Sequence, residues 1–148
     1  MKILLFVATQ LITLTLLACP DFSGKYLRDY DGEEISITQI NCEKITYTVG
    51  YRDYNYLIDN KEYLVGKYDI EGSDPGSIIA NVEIYQKRNF KRNKLFTYGR
   101  SKTFYPDTGK TEVQKSVSNA SYDKDQNIIV TTNSDDGSSS QETYLRLK

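Results

Sequence analysis

Histidine and tryptophan are absent from the chain, methionine occurs once, cysteine twice and proline three times. Without histidine there is no Ser-His-Asp or Cys-His catalytic arrangement, and no histidine-ligated zinc. Neither charge sign is in excess: 19 basic and 20 acidic residues are spread over 148. That near-balance points away from a nucleic-acid partner. Long apolar stretches are missing too, except one at the N-terminus. What remains is polar and rich in tyrosine, with 13 Tyr and five Phe.

The N-terminal stretch starts with one cation, Lys2, and runs from Ile3 to Ala18, interrupted only by Thr9, Gln10, Thr13 and Thr15. As a helix, its sixteen residues span roughly 24 Å, short of the ~30 Å hydrocarbon core. Cys-Pro-Asp follows, with no cluster of positive charge. Residues 1–18 therefore read as a cleaved export signal, and 19–148 as one mature domain. Leu16-Leu17-Ala18-Cys19 resembles the lipobox of bacterial lipoproteins. That resemblance implies cleavage before Cys19, acylation of its sulfur, and a lipid anchor in the cell envelope. Multiple acyl chains, at about 0.8 kcal/mol per buried CH₂, hold such an anchor permanently. Asp21 stands one place beyond the position that usually retains such proteins in the inner membrane, which favours the outer one.

The competing expectation is a plain secretory signal with Cys19 paired to Cys42, as two cysteines in an exported chain normally suggest. The two are mutually exclusive. An acylated Cys19 leaves Cys42 a lone thiol, buried as a small apolar side chain.

From Ser23 onward, short alternating segments separated by turn residues replace any helical period. Nine or ten strand-like segments are expected, from among 23–29, 34–40, 44–51, 54–58, 63–69, 77–86, 94–104, 110–121, 127–132 and 141–148. Even spacing predicts an all-β antiparallel up-and-down meander. A closed or nearly closed eight-to-ten-stranded barrel is expected, since closure removes exposed edges; a two-sheet sandwich is the alternative.

Gly24-Lys25-Tyr26 on the first strand and Tyr144-Leu145-Arg146 on the last resemble the two ends of calycin barrels (lipocalin, avidin and fatty-acid-binding families). There an aromatic after a Gly-x pair packs beneath an Arg and closes one barrel end. The resemblance implies that Tyr26 and Arg146 form a cation–aromatic pair here, with Tyr in place of the family's Trp. The stretch from Cys19 to Gln39, with Cys42, also resembles small exported lipoproteins of bacteria.

Three constellations bear on chemistry. Tyr47, Tyr51, Tyr54, Tyr56, Tyr63 and Tyr68 form the densest aromatic group; inside a barrel they offer flat apolar walls tipped by hydroxyls, suited to a small ligand. Equally, Tyr is a good strand residue and fills a core without Trp. Lys87, Arg88, Phe90, Lys91, Arg92 and Lys94 put five cations around one Phe at an expected hairpin tip. Such a tip meets anionic lipid or an acidic envelope partner. Asp123-Lys124-Asp125-Gln126-Asn127 opens like a calcium loop, yet Ile128 stands where Gly is needed and Ser134 where Glu is needed, so a turn is expected. No metal or cofactor is implied. Three functions stay open: an envelope interaction or structural lipoprotein, a binding module with a Tyr-lined interior, and a carboxylate-based hydrolase with two acids converging in a cleft. The first is the leading expectation, a non-catalytic module.

Overall fold

A computed structural model describes residues 19–148, all β apart from turns and loops. Its ten strands are β1 (Gly24–Arg28), β2 (Glu34–Ile40), β3 (Lys44–Val49), β4 (Arg52–Leu57), β5 (Tyr63–Glu71), β6 (Ile78–Lys91), β7 (Lys94–Tyr105), β8 (Lys110–Tyr122), β9 (Ile128–Ser134) and β10 (Ser139–Arg146). The expected leader helix falls outside the described residues.

One antiparallel sheet contains them all, in the order β4-β3-β2-β1-β10-β9-β8-β7-β6-β5. Every chain-adjacent pair is hydrogen-bonded except β4 and β5, and the ends of the chain meet through β1 and β10, where Tyr26 opposes Arg146. The sheet curls into a half-barrel and stays open between β4 and β5. The all-β antiparallel meander expected from the sequence is thus present as an open barrel, with β4 and β5 as its two edges. β4 has six residues, only one of them not exposed, and β5 is exposed at all but Gly66. Both edge strands leave apolar side chains exposed, Leu57 on β4 and Leu64, Val65, Tyr68 and Ile70 on β5. The connecting loop turns inward instead: Ile58 is buried, and the Asn60 amide donates to the Arg88 carbonyl at 2.9 Å.

Register fixes which side chains face the concave side. From the pairing, these are Tyr26 on β1, Ile35 and Ile37 on β2, Ile45, Tyr47 and Val49 on β3, and Tyr54 and Tyr56 on β4. On the other arm they are Arg88 and Phe90 on β6, Leu95 and Thr97 on β7, Ala120 and Ser118 on β8, Ile128, Val130 and Thr132 on β9, and Tyr144 and Glu142 on β10. Side-chain size falls along β6, β7, β8 and β9 away from one end. Phe90 gives way to Arg88 and Gln86, Leu95 to Thr97 and Gly99, Tyr122 to Ala120 and Ser118, and Ile128 to Val130 and Thr132. At Gly99 a Cβ would lie 2.6 Å from the Ser116 Oγ, so a larger residue there would require the serine side chain to turn away. One end is consequently filled and the other open.

The filled end is the core: Phe22, Tyr26, Ile35, Ile37, Ile45, Ile58, Leu95 and Ile128 are buried in one cluster. Phe22 lies between Phe90 and Tyr122, with ring centroids at 6.3 Å and 5.0 Å. Its segment is clipped in place by Gln39. The Gln39 amide nitrogen donates to the carbonyls of Pro20 (2.8 Å) and Asn41 (3.0 Å), and its oxygen accepts from the Phe22 amide (3.2 Å). The Tyr26 hydroxyl donates to the Phe22 carbonyl at 3.0 Å and the Tyr122 hydroxyl to the Asp21 carbonyl at 2.6 Å. Gly24 is required here: at φ 152° its place for a Cβ is 3.3 Å from the tip of the Tyr26 ring. The Arg146 guanidinium lies 5.9 Å from that ring's centroid and donates to the Ser23 carbonyl. Tyr26 and Arg146 thus meet as the calycin resemblance implied, across a directly paired register.

Candidate functional site

Above this plug the half-barrel leaves a cleft of about 450 Å³. Its floor and walls are apolar (Ile35, Ile37, Val49, Ala120, Ile128, Val130), its aromatic wall is Tyr47, Tyr54, Tyr56 and Tyr144, and its rim is Thr97, Ser118 and Thr132. That volume falls in the ordinary range for small-molecule pockets, which mix apolar walls with a few polar groups.

The expected tyrosines divide. Tyr47, Tyr54 and Tyr56 line the cleft, because odd positions on β3 pair with even positions on β4 and all face inward. Tyr47 and Tyr56 meet edge to face at 5.7 Å. Tyr51 falls past the end of β3 in a turn and is fully exposed. Tyr63 and Tyr68 sit on the β5 edge, exposed, with the Tyr63 hydroxyl donating to Asp59 at 2.6 Å. Tyr144, absent from that group, joins the cleft because β10 closes against β1. Only the strand order reveals this.

Arg88 has the least expected environment. The charged hairpin tip is shorter than expected: β6 and β7 run on to a two-residue turn at Arg92-Asn93, both at positive φ (49° and 58°). Period two then sends Arg88 and Phe90 inward and leaves Lys91, Arg92 and Lys94 exposed at the turn. Lys87 lies on the convex face, 5.1 Å over the Tyr98 ring. Phe90 packs against the core, so it is not a surface wedge. The surface patch of six residues is reduced to three cations.

Arg88 is only 8% exposed, the one charged residue among the buried ones described. Its guanidinium stacks 3.6 Å over the Tyr56 ring and donates to the Gln86 side-chain oxygen. No carboxylate pairs with it among the described residues. Desolvation draws its pKa below the usual value, yet a guanidinium keeps its charge. Burial likewise pushes the Tyr47 hydroxyl up to about 12. Glu142 is the single carboxylate lining the cleft, and it accepts from the Tyr144 hydroxyl at 2.7 Å. The two converging acids that a carboxylate hydrolase needs are not in this cleft.

The calcium-like segment is a turn: the Asp123 carboxylate accepts from the amides of Asp125 (2.8 Å) and Asn127 (2.9 Å). No group of three or more metal-binding side chains occurs among the described residues.

Cys19 and Cys42 are joined by a disulfide, Cα atoms 5.7 Å apart. This corrects the lone thiol at Cys42. A sulfur held in that bridge is closed to thioether acylation. Gln39, with its amide nitrogen 3.6 Å from the Cys19 Sγ, holds the bridged segment in register; no sequence signal distinguished it from any other strand residue.

No protein-family model matches the chain, and no curated protein matches it either.

Proposed function

We propose that the mature domain is an exported, non-catalytic binding module of the bacterial cell envelope, with its half-barrel cleft as the ligand site. The observation that carries this reading is the open cleft of about 450 Å³ with Tyr47, Tyr54, Tyr56 and Tyr144 turned into it. A purely structural barrel is filled by its own side chains; this one is filled at one end only. The disulfide supports export, because such bridges persist in oxidising compartments. It also shifts the weight from a lipid-tethered interaction module, the leading expectation from sequence, to its alternative. With Arg88 and Phe90 turned inward, the basic hairpin keeps little to offer a membrane.

The test is fluorescence titration of the mature chain with N-phenyl-naphthylamine, an uncharged aromatic dye. Saturable one-site enhancement is expected, and Thr132→Phe, which fills the rim, should abolish it while the melting temperature holds. No saturable enhancement, or equal binding by that variant, would overturn the reading. Mass measurement of the chain from its native envelope, with and without reduction, checks the anchor: an intact Cys19–Cys42 bridge is expected, and acyl chains on Cys19 would contradict it.

A further inference from the structure

Resting on the binding reading above, we infer that the cleft selects organic anions: a flat apolar body lies against the tyrosines, and an oxyanion (carboxylate, sulfonate or phosphate) meets Arg88. Isolating a charge from water is costly unless it is paired. Arg88 is 8% exposed and has no carboxylate partner among the described residues. A guanidinium carries five N–H donors, and here its hydrogen bonding to side chains is confined to Gln86. The one wholly buried side-chain oxygen or nitrogen left unpaired among the described residues is Asn89 Oδ1. The other Arg88 nitrogens are therefore not sealed off, and they open on the cleft that Arg88 lines.

The surroundings fix the sign of the ligand. Tyr56 holds the guanidinium from one side, its ring centroid 3.6 Å from the Arg88 Cζ, and an oxyanion can pair with the N–H groups that Gln86 leaves free. Tyr47, facing the same space, has a hydroxyl with no hydrogen-bond partner among the described residues, a second donor for the same anion. Its proton is firmly held at neutral pH, so it donates. Glu142, the one negative group of the lining, is already engaged by Tyr144 and repels an anion placed at its own wall. An anionic group therefore enters on the Arg88 side, and the apolar body lies over Val49, Ala120 and Val130.

Two dyes with a common aromatic body separate the charge from the cleft. Anilinonaphthalene sulfonate carries the oxyanion; N-phenyl-naphthylamine does not. A charge-assisted contact predicts about tenfold or greater preference for the sulfonate in the native chain. In Arg88→Met that preference should collapse to about one, and Arg88→Lys, which keeps the charge, should retain part of it. Thr132→Phe should block both dyes, which excludes binding to apolar surface elsewhere. Thermal melts of each variant confirm folding, and Glu142→Gln reads the opposite charge in a chain with Arg88 intact, with the preference expected to rise about two- to threefold. Equal affinity for both dyes in the native chain, an unchanged preference in Arg88→Met, or Arg88→Lys as poor as Arg88→Met would overturn the anion inference alone. Failure of both dyes to bind would overturn the cleft reading itself.

Discussion

The two ends of the half-barrel are made by the same strands and differ only in what points inward. At the plugged end Phe22, Tyr26, Ile45, Leu95 and Ile128 pack with almost no exposure. A few residues along the same strands, Thr97, Ser118, Ala120 and Thr132 leave space. The polar groups differ in the same way. At the plug, the Tyr26 and Tyr122 hydroxyls donate to backbone carbonyls of the N-terminal segment. In the cleft, a buried guanidinium and a phenol lack such partners. Stability therefore resides at one end and the capacity to bind at the other.

That division predicts how substitutions rank. The largest loss is expected for Tyr26→Ala, which empties a wholly buried site and frees two hydrogen-bonding groups: about 3–5 kcal/mol by urea denaturation. Tyr54→Ala, at the rim and 42% exposed, should cost under about 1 kcal/mol and act on ligand affinity instead. Equal losses at the two sites would erase the distinction between plug and cleft. Next comes reduction of the Cys19–Cys42 bridge, which closes a loop with a sequence separation of 23 residues and should lower stability by about 3 kcal/mol. The same loss is expected in Cys42→Ser, and dye affinity should stay unchanged in both, because the bridge lies at the plugged end.

A smaller effect follows from Tyr47. Its folded pKa is raised from 10 to about 12, so the unfolded chain gives up that proton first. The contribution is intact below pH 10 and is lost as pH rises from 10 through 12. Urea midpoints should be level up to about pH 9 and fall across that window, with a shallower fall in Tyr47→Phe. A slope identical in the two chains would show that Tyr47 is not held neutral by the fold. Smallest of all, Arg100→Ala breaks an exposed ion pair with Glu62 at 2.7 Å and should leave the midpoint almost unmoved.

Alternation with regular turns was enough to place the strands in the sequence, since each turn carries Gly, Asn or Asp. The Gly24–Tyr26 and Arg146 pairing came from the calycin resemblance, not from the strand pattern. What one strand's pattern cannot carry is its distance from strands remote in the chain. The break falls between β4 and β5, the two ends of the strand order, which no local signal announces. The basic run misled because charge density was read as surface, whereas period two continues through Lys87–Lys91 and turns Arg88 and Phe90 inward. A run of cations alternates like any other strand. Tyr144 entered the cleft only through the β1–β10 closure.

The most direct test of the division into plug and cleft is to titrate anilinonaphthalene sulfonate into isotope-labelled mature chain and map the amide shifts by NMR. Perturbations are expected to cluster at Val49, Arg88, Thr97, Ser118 and Val130, with Tyr26, Ile45 and the Cys19–Cys42 segment unmoved. Shifts centred on the convex residues Phe96 and Tyr98, or spread across the plug, would contradict the account.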